Sequence, residues 1–532
     1  MAFSVMRRFI SWRSAALIAL TFAISISLSI VLVTIPFRVG SGLVAQSIPT
    51  DPGMRTTGFF TASTPFSTLS ATEFRNFGCP DGTIASCAAN QGSGAQGIFN
   101  QQWSVTGTVA GMPVAGLGPR YDTNSCFSCH GNPVAGGSSL TINAEVAMAG
   151  LNARPGFNAN VVPTTNYFAP DGTDGQPFIR SNGPTRSVFQ RSTQKPLALY
   201  SIGGVGGPMM TDTVSSVPSC TSGVLPQPNF AALLSAGDVS PIIPPPLFGL
   251  GLVEATPDAN WRAQQNAGKF ATYGIPTNTF NIGLLGTIAK SGWKASDTSA
   301  NARIALALAI EIGASNRQYP QKFDQTPQCN AGALPDDHPQ LASRATCDGC
   351  SMDWANAEEG DTYFVRHLES PAPVWGKGPG AYDGPPPSGW NGSATIAYGS
   401  VTQGSVYNGY QQFVAVGCDT CHAPSHTTGP SEITGTGNRT YYNYGDRAIH
   451  DMGAGMDNGI TLGLATGPKF RTADLWGLGQ RNWLNHDGRT NNLYTAIQAH
   501  CTTGSEAAAV CVAFGNLSLV NQQDLINFLR GL

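Results

Sequence analysis

Two short strings hold the densest chemistry in this chain: Cys126-Phe127-Ser128-Cys129-His130 and Cys418-Asp419-Thr420-Cys421-His422. Paired thiols at this spacing match the two vinyl groups of a porphyrin, and the adjacent imidazole can turn onto its iron. Each string therefore reads as a site of covalent c-type haem attachment. Cys126, Cys129, Cys418 and Cys421 are the expected thioether residues, and His130 and His422 the expected iron ligands. The chain has only 12 Cys and 8 His in 532 residues, too few for two such pentapeptides to recur by chance.

The elements around the strings must bury a flat apolar group. Helical periodicity is clearest at 302–313, at 405–417 leading into the second string, at 491–499 and at 521–531. A helix before Cys-x-x-Cys-His and a helix closing the chain are what a cytochrome c-like unit needs to sandwich a haem. Elsewhere the chain is rich in turn formers, with 63 Gly and 37 Pro, yet 41% of residues are apolar, so it is not disordered. Loop-like stretches are expected over 131–245 and 321–400. The fold class expected is mainly α, with two cytochrome c-like haem domains, long Gly/Pro-rich loops and little β. The Gly- and Pro-rich stretch 376–400 separates the last unit, giving domains 46–400 and 401–532.

Residues 1–45 form a separate segment. Arg7, Arg8 and Arg13 precede an apolar run over 15–37, and Leu43-Val44-Ala45 reads as a cleavage site. The run is also long enough to remain as a membrane anchor. Either way the rest is exported, as c-type haem requires, and a periplasmic place is expected. Eight further cysteines in an oxidising compartment predict disulfides, with Cys79–Cys87 and Cys501–Cys511 as local bridges. Cys347 and Cys350 lack a following His and read as structural. Net charge is −3, and no basic cluster suggests nucleic acid.

Further strings carry a resemblance. They are Gly116-Leu117-Gly118-Pro119; Pro246-Leu247-Phe248-Gly249-Leu250-Gly251-Leu252-Val253-Glu254; Ser291-Gly292-Trp293-Lys294-Ala295; Val416-Gly417 before the second haem string; His450-Asp451-Met452-Gly453; Phe470-Arg471-Thr472-Ala473-Asp474-Leu475-Trp476-Gly477-Leu478-Gly479; and His486-Asp487-Gly488-Arg489. In this order the chain resembles the bacterial dihaem oxidoreductases, also called thiol oxidoreductase-like proteins, over roughly residues 60–532. These are relatives of dihaem cytochrome c peroxidase and of MauG. Where the family continues to His-Gly-Gly-Glu, this chain reads His500-Cys501-Thr502-Thr503-Gly504-Ser505-Glu506, a small insertion with its own cysteine.

The resemblance implies a peroxidase-like division of labour. Electrons from a small redox protein or other donor would enter at the C-terminal haem, and peroxide or another small oxidant would react at the N-terminal haem. The C-terminal iron would take a sixth ligand beyond the His-x-Gly motif, His500, with Met452 the alternative. No histidine lies between His130 and His338, so the N-terminal iron is expected to keep an open face, with Met148 a core residue. Glu254 is implied as the acid–base group of that face. Trp293 or Trp476 could relay electrons, and Arg120, Arg471 and Arg489 could meet propionates. A non-catalytic electron-transfer cytochrome, a haem-dependent oxygenase like the dihaem rubber oxygenases, and protein modification in the MauG manner remain rival readings.

Overall fold

The computed structural model describes residues 48–53, 94–104, 114–118, 121–141, 143–144, 183–196, 233, 236–265, 268–320, 357–376, 384–396 and 400–532. The expected export segment, the Cys79–Cys87 bridge, Arg120, Met148, His338, Cys347 and Cys350 lie outside these residues. Among the described residues, no helix is long and apolar enough to cross a membrane. Residues 49–532 pack as one unit.

The helices in chain order are α1 (Gly94–Asn100), α2 (Cys126–Cys129), α3 (Leu250–Ala255), α4 (Asp258–Gln265), α5 (Lys269–Tyr273), α6 (Ala300–Ala307), α7 (Ala357–His367), α8 (Gln403–Ala415), α9 (Leu493–Gln498), α10 (Ala508–Gly515) and α11 (Leu519–Gly531). The strands are short. β1 (Trp103–Ser104) pairs in parallel with β2 (Val114–Ala115). β3 (Ser187–Gln190) is the centre of an antiparallel sheet, flanked by β4 (Lys195–Pro196) and β5 (Val239–Ile242). β6 (His426–Thr427) pairs with β7 (Thr440–Tyr441), and β8 (Ile449–Asp451) with β9 (Lys469–Arg471). The fold is thus mainly helical with small sheets, as expected.

All four periodic segments are helical. Side-chain caps set several starts: Ser299 accepts from the Ala302 N–H, Thr402 from Ser405, Asn492 from Thr495 and Ser518 from Asn521. The 302–313 segment is α6 followed by a π turn, Leu308–Ile312. α7 is a correction, because it is a regular helix inside a stretch expected to be loop. Its burial shows why it forms: Phe364 and Val365 pack with Phe99, Ala135, Phe248 and Leu368.

α8 lies along α11 and closes the C-terminal core. Val406 and Phe413 meet Leu525, Phe528 and Leu529 there, each worth about 1.5–3 kcal/mol in burial. Polar bonds fix the register: Ser405 Oγ donates to Asp524 and Asn408 Nδ2 to Asn521. The expected Cys501–Cys511 disulfide is formed.

A clasp ties the N-terminal strap 49–53 to α11. Arg530 donates through Nε and Nη2 to the two Asp51 oxygens, each at 2.8 Å, and the side chains are 1% and 3% exposed. Burial pushes the Asp51 carboxyl up, but Arg530 and the Leu493 and Gly53 N–H groups outweigh it, leaving the pKa below the ordinary 3.8. A depressed carboxyl pKa contributes stability above the unfolded value that is lost as pH falls through the folded one. Asp51→Ala strands a buried guanidinium and should cost about 3–5 kcal/mol. In chemical denaturation the difference from wild type should be full at pH 7 and shrink below pH about 4.

Candidate functional site: two Cys-x-x-Cys-His turns and a cavity

One helical turn presents the first string. The Ser125 hydroxyl accepts from the Ser128 N–H, and His130 N–H donates to Cys126 O at 2.9 Å. Cys126 and His130 thus stand one turn apart on the same face. His130 Nδ1 lies 3.1 Å from Gly137 O. Burial lowers its pKa to about 4, against the pull of the Gly137 and Pro245 carbonyls and of Glu311. Cys126 Sγ donates to Asp361 Oδ2 at 3.6 Å, and Cys129 Sγ lies 3.6 Å from Thr123 Oγ1. Burial, then Asp361, pushes the Cys126 thiol well above 9.

The second string follows α8 as a 3₁₀ turn, Cys418–Thr420. His422 N–H donates to Cys418 O at 3.0 Å, and His422 Nδ1 lies 2.9 Å from Tyr444 O. The Cys418 side chain packs on the α8–α11 core, and burial raises its thiol to about 12. Burial also lowers His422 to about 4, with His500 close enough to lower it further. Cys126, Cys129, Cys418 and Cys421 are in no disulfide.

His500 stands on the His422 side, with Nδ1 2.9 Å from Ala496 O. Met452 packs elsewhere, on the cluster of Ile243, Trp293, Met456 and Phe470. His450 had no assigned role in the sequence. It is buried with Nε2 3.1 Å from Asp446 and Nδ1 2.8 Å from Glu506. Burial opposes its charge, but Cys421 and Asp446 outweigh that and raise its pKa well above 6.5.

Cys126, Cys129 and His130 line one cavity, open to solvent, with about 1500 Å³ of empty space. Its apolar wall includes Phe99, Ile243, Pro245, Leu247, Phe248 and Leu308. At another part of the wall are Arg447, Arg471 and Asp474. Arg447 bonds Asp474, Arg471 lies 3.8 Å from it, and the Asp474 charge also reaches buried Arg481. Three guanidiniums thus face Asp474, with buried Asp446 a second carboxylate near Arg471. Arg447 Nε and Arg481 Nε and Nη2 are buried without a hydrogen-bond partner. Burial lowers Arg471 to about 9 and Arg481 to about 10. Such an excess of buried cation calls for an anion.

These residues fit a haem: thiols and a neutral imidazole at one part, apolar walls, and guanidiniums for two propionates. Among the described residues, no three His, Cys, Asp or Glu side chains converge as a bare metal ion would need. A porphyrin brings four nitrogens of its own.

Glu254 ends α3 in a bidentate pair with Arg366, both contacts 2.7 Å. Leu250, one turn earlier, lines the cavity. Two glycines set α3 in place. A Cβ on Gly249 would come within 2.2 Å of the Trp476 ring, and one on Gly251 within 1.9 Å of Arg366 O. Trp293 lines the cavity and donates to Ile243 O at 2.6 Å. Trp476 packs with Leu252, Val253 and Tyr441. Arg489 is bound to Asp487, and His486 stacks on Phe470 with ring centroids 4.1 Å apart. Lys294 was also missed. It donates to the Thr466, Gly467 and Lys469 carbonyls, and burial lowers it to about 7.

Two Cys-x-x-Cys-His turns, each with a half-buried imidazole whose Nδ1 meets a backbone carbonyl, are compatible with haem binding. Residues 391–532, the C-terminal quarter of the chain, match the family model described as "Di-haem oxidoreductase, putative peroxidase". That description implies two haems and oxidoreductase chemistry. No curated protein and no solved structure matches the chain.

Gly251→Ala should overpack α3 against α7, costing about 1–3 kcal/mol. A melting curve should show it, and an unchanged melting temperature would contradict the close approach at Arg366 O.

Proposed function

We propose that this protein is an exported c-type dihaem oxidoreductase with peroxidase-like activity. One observation carries the reading: Cys126, Cys129 and His130 share an open, mostly apolar cavity with buried, under-partnered arginine. In this reading residues 46–400 hold the N-terminal haem and 401–532 the C-terminal haem. Each haem, when bound, supplies an iron that exchanges electrons, and an iron with an open face can take peroxide.

The chain's own residues do the rest. His130 and His422 would each hold a haem iron, and His500, with Met452 the alternative, would be a second protein ligand at the C-terminal haem, which would suit that site to passing electrons. A small redox protein or other donor delivers electrons there. At the N-terminal site one peroxide takes two electrons and two protons and leaves as two waters. Glu254 takes a proton from one peroxide oxygen and returns it to the other. Arg366 holds it in place through both its oxygens. Arg447 and Arg471 bind propionates, and Trp293 or Trp476 lies on the electron route.

Mass spectrometry of the protein from an exporting, haem-attaching host should find two covalent haems. Replacing Cys126 and Cys129 together by Ser should remove one, and replacing Cys418 and Cys421 the other. Both double variants should lose peroxide turnover with a reduced donor. Wild type carrying no covalent haem would overturn the reading. Glu254→Gln should lower turnover by about 10²–10⁴-fold, and full activity would remove Glu254 from the mechanism. His500→Ala should change the visible spectrum of the C-terminal haem while Met452→Ala leaves it unaltered. The reverse would move the ligand to Met452.

A further inference from the structure

We propose that Asp122, Ser187 and Glu311 form a proton relay ending on the wall of the Cys126–His130 cavity. The proposal rests on the reading that this cavity holds the reactive haem. Ser187 Oγ lies 2.5 Å from Glu311 Oε2 and 2.9 Å from Asp122 Oδ2. Ser187 and Glu311 line the cavity, and Asp122 is buried behind them at 2% exposure. The Asp122 N–H donates to Glu311 O at 2.7 Å, so the two backbones are also tied.

A hydroxyl has one proton and can donate to one carboxylate at a time. Both short contacts can be hydrogen bonds at once when a second proton sits on the line. With that proton on Asp122, its carboxyl donates to Ser187 Oγ, which donates to Glu311. Moving both protons one place leaves Glu311 protonated and Asp122 ionised. The net result is one proton carried from the buried side to the cavity, with no electron moved. Peroxide reduction consumes two protons at this cavity; each passage along the line would deliver one, and Asp122 would take up a proton from water before the next.

The local fold aims Glu311 at the cavity. Arg303, Ile304, Ala307, Leu308 and Glu311 form one face of α6 and its π turn, and all line the cavity. π turns inside helices recur at functional sites. Glu311 is the only charged residue between Arg303 and Arg317. An independent sign of a ligand in the same cavity is the buried, unpartnered Nε of Arg447. The other charged or titratable groups on the wall are Arg303 on α6, His130 and Asp361 near the first string, and Lys294, Arg447, Arg471 and Asp474.

The test uses the haem-loaded protein and needs no peroxide. Reduced-minus-oxidised infrared difference spectra in H₂O and D₂O should contain a protonated-carboxyl band that shifts with deuterium. Glu311→Gln should abolish it and Ser187→Ala should move it, at unchanged haem content. Separately, Glu311→Gln should lower peroxide turnover about 100-fold and remove one limb of its pH profile. If Glu311→Gln does not load haem, Ser187→Ala decides. A band and pH profile identical to wild type in the variants overturn the relay while leaving the peroxidase reading intact. A band lost in the variants of a protein that never turns over peroxide keeps the relay and overturns that reading.

Discussion

Each Cys-x-x-Cys-His string depends on one hydrogen bond, from a half-buried imidazole Nδ1 to a backbone carbonyl. A carbonyl oxygen only accepts, so Nδ1 carries the proton and Nε2 keeps the lone pair. Gly137 O serves His130 and Tyr444 O serves His422. Burial holds both rings at about 4, so they are neutral at pH 7 and able to ligate iron. The surroundings keep each ring over its carbonyl. α2 and the 131–138 turn do this for the first string, and the loop 444–446, bonded back to Cys421 O, for the second.

The two strings share this device and differ in what surrounds it. His130 opens on a cavity with cationic and anionic groups on its wall. Cys418 packs into the aromatic and aliphatic core between α8 and α11, with His500 close to its neighbour His422. An open site with proton-bearing groups suits chemistry on a small oxidant. A site with a second imidazole beside the first suits electron transfer.

Local features of this arrangement were legible in the sequence. The four periodic helices and the Cys501–Cys511 bridge each depend on residues within a few turns of one another. What crosses the chain was not legible. Asp51 pairs with Arg530, Glu254 with Arg366 and Arg447 with Asp474, and no periodicity links such positions. α7 was hidden because its flanks are rich in Gly and Pro and its burial comes from α1 and the 247–248 segment. Arg447 and Arg481 matter because they are buried with too few partners, which only packing reveals. Glu311 did leave a signal, as a lone acid in an apolar helix. His450 stood in a quoted string, but its two carboxylate partners, Asp446 and Glu506, had not been brought together.

The central claim is that one iron is six-coordinate and the other has an open face. An electron paramagnetic resonance spectrum of the oxidised, haem-loaded protein tests it most directly. The account predicts one low-spin signal, lost in the Cys418→Ser/Cys421→Ser variant, and one high-spin signal, lost in the Cys126→Ser/Cys129→Ser variant. Two low-spin signals in wild type, unchanged by one-electron reduction of the partner haem, would contradict it.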